Sequence, residues 1–354
     1  MRIRNKLVRG LFAMTLIGTM GVATFADTTE QKILTRQAAV KKAMDMSIQL
    51  KTYSTQLDAT TETMKKKMED YQTFKAYEYE DMRIDMRQQE QQRDYLKDQI
   101  EFDVNSNYSD VILLRQEIML LDQKIALANK ELNQAGIKKR NGILDEVSYQ
   151  KLTINLSNMK NQKSSKELQL KEAQQKFSLL TNFDITQYEL ESEITYVPYT
   201  INSPIEFYVS SKVNEMIQYN EEAAEHYDAT KLDRMLIGDG PIYLVPDKEA
   251  TLQSNATVSS KYSTVEQMRS SYQTSLMGIY TELERNVKQL EEYKEQYGVK
   301  EKELKVMEIK YNAGLISAYD YEKAQCDFAE FKFNILQTTN RCVQLQTSLL
   351  KPWV

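Results

Sequence analysis

Asn141-Gly142-Ile143-Leu144-Asp145-Glu146-Val147-Ser148-Tyr149-Gln150-Lys151 aligns with Ala313-Gly314-Leu315-Ile316-Ser317-Ala318-Tyr319-Asp320-Tyr321-Glu322-Lys323, an offset of 172 residues. Gly, two aliphatics, Tyr and Lys agree in type. A weaker match at nearly the same offset sets Val40, Ala43, Ser47 and Leu50 beside Val213, Met216, Asn220 and Ala223. The chain is therefore read as two similar halves, each centred on a glycine turn.

The residues flanking each glycine repeat at alternating three and four positions. Before Gly142 the series is Val111, Leu114, Ile118, Leu121, Ile125, Ala128, Leu132 and Ala135. Before Gly314 it is Leu276, Ile279, Leu283, Leu290, Tyr293, Tyr297, Leu304, Met307 and Tyr311, with Asn286 and Lys300 as polar interruptions. A period near 3.5 is a coiled-coil seam. The returning arms, about 147–180 and 318–350, are more polar but carry Leu152, Leu156, Met159, Leu170, Ala173, Phe177 and Leu180 at similar spacing. Arms of this kind reach roughly 50–70 Å, and so narrow a seam needs lateral neighbours to become stable.

Each turn can be assembled from local chemistry. Gly142 and Gly314 suit the left-handed residue that ends a helix, and Ile143 and Leu315 stand where the apolar contact of that motif is made. Asp145 and Ser317 then cap the next helices; Asp320, three residues after Ser317, completes a capping-box spacing, and Ser148 follows Asp145. The result is a tight αα-hairpin.

Outward from the hairpins, 184–204 breaks the heptads and reads as an extended linker, 205–235 as helix, and 235–246 as a short β-hairpin. Residues 60–100 are dominated by Lys, Glu, Asp, Arg and Gln and read as helix with a turn of undetermined position. With 10 Gly and 5 Pro in 354 residues, turn residues are about a third as frequent as in average proteins. The fold class is all-α.

At the N-terminus Arg2, Arg4, Lys6 and Arg9 precede an apolar run from Leu11 to Ala23 and the small-residue end Thr24-Phe25-Ala26. That order is a secretory signal with cleavage expected after Ala26. Removing four positive charges takes the net charge from −5 to −9. The expected organisation is signal 1–26, first hairpin repeat 27–183, linker 184–204 and second hairpin repeat 205–354.

The inventory disfavours catalysis. One His and two Cys do not build the common zinc sites. No phosphate-binding or nucleophile-elbow motif is present. Cys326 and Cys342, 16 residues apart on one expected helix, are too distant for a disulfide and read as seam residues. No basic patch suggests nucleic acid, and no cofactor or metal is expected.

The layout resembles the TolC-like outer-membrane efflux family. The resemblance rests on an opening helix with Leu34-Thr35, Val40 and Ala43, two similar halves, Leu179-Leu180-Thr181-Asn182 at the end of the first hairpin, and a tip with Tyr311, Gly314, Ser317 and Asp320. It implies a homotrimer whose hairpins form an α-barrel, an envelope location, and docking to a membrane-fusion adaptor driven by a transporter in the inner or cytoplasmic membrane. Substrates would then pass without chemistry. It further implies that Gly142, Ile143, Leu144, Asp145, Gly314, Leu315, Ile316 and Ser317 form the adaptor-docking tips, and that Tyr311 and Asp320 belong to a tunnel gate.

Two departures stand out. The family's gate Arg position is occupied by Ile316. Where the family carries transmembrane strands, this chain has a charged segment from Met64 to Glu90 and a short one near 238–246, so the barrel strands are lost or vestigial. The alternative reading is an extracytoplasmic coiled-coil scaffold or binding protein without a tunnel.

Overall fold

In the computed structural model the chain is described over residues 33–69, 75–235 and 248–354. The proposed signal and the proposed β-hairpin at 235–246 lie almost wholly outside these residues. Seven helices carry the described fold: α1 (Arg36–Met46), α2 (Ile48–Glu69), α3 (Ala76–Arg140), α4 (Glu146–Thr181), α5 (Ile205–Met235), α6 (Lys248–Asn312) and α7 (Ala318–Leu350). Among the described residues the only strands are β1 (Ile33–Leu34) and β2 (Glu189–Leu190), which pair in parallel.

The charged segment is helical up to Glu69 and again from Ala76. No helix among the described residues is long and apolar enough to cross a membrane. The opening differs from expectation. Leu34 belongs to β1, and the helix starts only at Arg36 after Thr35, whose Oγ1 accepts from the Ala38 N–H at 3.2 Å. A threonine acceptor at the cap stops the helix from extending back to Leu34.

The chain divides into two compact units, and both α3 and α6 contribute to each. The first unit takes in 103–198 and 283–346 with the chain up to Ala43. Its helices are joined in a row by side-chain contacts. α4 meets α3 through Lys163–Asp122 at 2.6 Å and Lys166–Glu117 at 2.9 Å. Then α3 meets α7 through Lys124–Glu330 at 2.7 Å and the Lys130–Glu322 pair. Finally α7 meets α6 through Phe331–Tyr293 and Phe328–Tyr297, with ring centroids 5.5 and 5.7 Å apart. The order is α4–α3–α7–α6. Surface ion pairs of this sort contribute little stability individually, so the aliphatic and aromatic seams carry the packing.

A buried knot ties the linker into this unit. The Tyr108 hydroxyl donates to the Leu34 carbonyl at 2.5 Å and accepts from the Glu191 N–H at 2.7 Å, bracketing the β1–β2 pair. The Arg36 guanidinium lies 4.6 Å above the same ring and donates to the Asn105 carbonyl and to Ser109 Oγ. Burial lowers the Arg36 pKa, and the two acceptors compensate part of that desolvation. Residues 184–190, read as plain linker, thus hold a 3-10 turn and a strand.

The second unit comprises 44–102, 199–282 and 347–354. Leu57, Ile84, Val209, Val213, Met216, Ile217, Val265 and Leu276 are its main buried apolar residues. Arg83 and Arg87 share Glu222 at 3.1 and 3.3 Å, and Arg234 pairs with Asp81 at 2.7 Å. The last residues are fastened here as well. Trp353 stacks on Tyr95 at 4.1 Å and donates from Nε1 to Asp98 at 2.7 Å.

Candidate functional site at the hairpin tips

Both helix ends close by the same hydrogen-bond pattern. Gly142 adopts φ +71°, with Ile143 N–H donating to the Lys138 carbonyl at 2.9 Å and Gly142 N–H to the Lys139 carbonyl at 3.0 Å. Gly314 adopts φ +72°, with Leu315 N–H donating to Lys310 at 2.8 Å and Gly314 N–H to Tyr311 at 2.9 Å. These are the paired bonds of a Schellman end, which satisfies carbonyls the helix leaves open. A Cβ at either glycine meets nothing within 4 Å, so the requirement for glycine comes from the backbone conformation alone.

The following helix starts are built with the same two residue types in opposite order. At the first tip Asp145 caps, its carboxylate accepting from Ser148 N–H at 2.8 Å and Ser148 Oγ at 2.6 Å. These bonds, the Ser148 hydroxyl first and its N–H second, hold the Asp145 carboxyl below its ordinary pKa. At the second tip Ser317 Oγ accepts from Asp320 N–H at 3.2 Å, while Asp320 accepts from Ser317 Oγ at 2.7 Å and Ser317 N–H at 3.3 Å. That is a reciprocal capping box.

One level back from each glycine the halves differ again. Lys139 lies 4.5 Å over the Tyr149 ring and pairs with Glu146 at 2.5 Å. The equivalent Tyr311 stacks on Tyr321 at 5.1 Å and 10°. The two hairpins are linked near their tips by Lys130–Glu322 and by the Tyr319 hydroxyl beside Glu131; burial and that carboxylate push the Tyr319 pKa up.

Ile143 and Leu315 are both 74% exposed, while Leu144 and Ile316 are half-buried. A Schellman end sets the residue after the glycine beside those three and four places before the cap, here Ile137-Lys138 and Ile309-Lys310. The 172-residue offset also pairs the exposed Ile137 with Ile309 and Lys138 with Lys310. Sequence reading passed over these four residues, although the same offset that pairs the glycines pairs them.

Tyr311 is partly exposed and Asp320 exposed, the latter engaged with Ser317. The thiols of Cys326 and Cys342 are free and buried; burial pushes Cys342 up to about 12. Among the described residues no group of three His, Cys, Asp or Glu side chains is placed to hold a metal.

No family model matches the chain, and no curated protein does. Solved structures do. A membrane protein from Pseudomonas aeruginosa superposes with a TM-score of 0.63 at 8% identity, covering 91% of both chains. The CmeC outer membrane channel of Campylobacter jejuni gives 0.59 at 10% identity, over 94% of this chain and 90% of that one. The open state of the MtrE outer membrane channel of Neisseria gonorrhoeae gives 0.58 at 9%, over 93% of each. At such identities the likeness is one of fold. The chain has the fold of the TolC-like channels, as the sequence resemblance implied.

Proposed function

We propose that the chain is the channel component of a tripartite-type export complex in the cell envelope, assembled as a homotrimer and docked by its tips to a membrane-fusion adaptor. One observation carries this reading. The row α4–α3–α7–α6 has two ends, and each end helix leaves an apolar stripe uncovered. On α4, Val147, Ile154 and Leu168 are exposed at multiples of seven residues; on α6, Val299 and Val306 are exposed seven apart, with Ile309 beside them. Two different unsatisfied faces on one row favour head-to-tail association, which closes into a ring when the rotation allows. The resemblance to outer-membrane channels supports closure at three copies.

In that assembly Tyr311 and Asp320 are proposed to line the tunnel entrance, with transport proceeding without chemistry. Asp320→Ser keeps a partner for the helix start but removes the charge. It should lower cation preference in a reconstituted pore while leaving melting nearly unchanged; unaltered selectivity would leave Asp320 as a capping residue only.

The assembly is tested by the native mass of the exported protein, together with a disulfide between Ile154→Cys and Val306→Cys. The buried native thiols contribute little background. A cross-linked ladder that stops at three supports the reading. A monomer or dimer overturns it in favour of a scaffold without a tunnel. Export itself is checked by the N-terminus of the envelope-associated protein, expected after Ala26; one that begins at Met1 refutes cleavage.

A further inference from the structure

We propose that the groove between α2 and α3 in the second unit binds a neutral oligosaccharide. The inference goes beyond the channel reading and needs no assembly, since every residue of the groove comes from one chain and one unit.

The groove holds about 630 Å³, within the size range of small-molecule sites. Its α2 wall includes Gln49, Tyr53, Gln56 and Thr60, and its α3 wall is Gln89 and Gln92. The walls are joined where the Tyr53 hydroxyl donates to Gln92 Oε1 at 3.4 Å. From Gln49 to Thr60 the α2 wall runs about 16 Å, the reach of a short oligosaccharide rather than of a single sugar ring.

Three observations select this occupant. The first is neutrality. None of the eight lining residues is charged, although α2 itself carries Lys51, Asp58, Glu62 and Lys65. At about 100° per residue those four fall on the far side of the helix from Gln49, Gln56 and Thr60. Charge is kept off this face rather than missing from the segment. A phosphate or carboxylate ligand finds no cation in the lining, and a metal finds no carboxylate or imidazole.

The second is the supply of donors and acceptors. The Gln49, Gln56 and Thr60 side chains make no hydrogen bond within the described residues. Amides and hydroxyls both donate and accept, as do the hydroxyl and acetamido groups of sugars. An apolar ligand would leave them unpaired. The third is Gln89. Its Oε1 is buried and has no partner among the described residues, and a buried acceptor of this kind requires a donor. A ligand hydroxyl entering between the helices supplies one. The half-buried Tyr53 ring adds an apolar face with a polar tip, on which the C–H face of a sugar packs. Gln49, Gln56 and Gln92 are exposed, so a free saccharide and a glycan strand of the envelope can both enter from solvent.

The test titrates the mature full-length chain by calorimetry with four tetrasaccharides: chitotetraose and cellotetraose, which are neutral, anionic tetragalacturonate and a cationic chitosan tetramer. Each neutral one should bind at least tenfold more tightly than either charged one. Y53A and Q56A/Q89A should each weaken neutral binding about tenfold with helicity unchanged, because alanine is the best helix former. Q49K/Q56K should shift the preference to tetragalacturonate, a gain that loss of fold cannot imitate. Insoluble chitin separates the two sources. Retention on chitin that chitotetraose releases assigns an envelope strand, whereas binding of tetrasaccharides without retention assigns a free saccharide; both support the inference.

No binding of any tetrasaccharide, equal binding of all four, or neutral binding that survives Y53A and Q56A/Q89A overturns it. So does a native mass changed by Q49K/Q56K in a chain that binds no saccharide, which would give the groove to a second copy. The channel reading stands or falls separately, on the native mass of the unaltered protein.

Discussion

The two tips solve one geometric problem with different residues. Both end a helix on a glycine near φ +71° and restart it four residues later. Asp then Ser does the capping in the first and Ser then Asp in the second. A lysine over tyrosine braces the first, and two stacked tyrosines brace the second. The comparison separates what an αα-hairpin demands from what it tolerates. The left-handed residue and an acceptor at the helix start are demanded. Which polar residue supplies the acceptor, and how the ring one turn back is braced, are not.

The largest effect should come from the demanded element. Gly142→Val and Gly314→Val place a β-branched residue at positive φ, where the penalty is about 1–2 kcal/mol or more. Amide exchange at Ile143 and Leu315 should show both tips opening more often, by similar factors. A much smaller effect at one tip would mean that its glycine is not what holds the turn.

Next comes the cap. Asp145→Ala removes the only side-chain acceptor at the first helix start and should cost about 1 kcal/mol. Asp320→Ala leaves Ser317 as cap and should cost less, on the scale of a first-turn carboxylate, roughly 0.3–1 kcal/mol. Thermal melting and local exchange of the two variants would reveal the asymmetry. Equal losses would mean that the order of Asp and Ser is immaterial.

The brace should matter less. Tyr311→Lys rebuilds the second tip in the image of the first, exchanging a stack for a cation over Tyr321. Both contacts are of order 0.5–1 kcal/mol, so the local opening equilibrium should shift by less than about tenfold.

The smallest effect is on pH. The Asp145 pKa lies below its ordinary value because Ser148 bonds its ionised form. Its contribution is therefore present above the unfolded-state value near 3.9. It is lost as pH falls through the lower folded-state value. Acidification below about pH 4 should raise opening at the first tip, and D145N should abolish that dependence there.

Legibility from sequence followed range. The glycine turns, the heptad arms, the helix over 205–235 and the all-α class were all legible, because capping and hydrophobic periodicity act within one or two helical turns. Leu34 was placed in a helix and lies in a strand. Two-residue strands have no period to read, and the partner that makes Leu34 a strand, Glu189-Leu190, is 155 residues away or more.

What the sequence by itself determined was every element closed by local bonds: where the hairpins turn, which residues cap them, and that the two halves repeat. Only the tertiary structure decided the order α4–α3–α7–α6, the Tyr108 knot that binds β1 to the linker, and which tip side chains are left for solvent. Heptads specify that a helix has a partner without naming it. A hydroxyl such as Tyr108 meets Leu34 and Glu191 only after folding brings residues 74 and 83 positions apart together. The physical reason is one of range, since helix ends are satisfied within a few residues while packing and buried polar bonds are settled by whatever the whole chain places nearby.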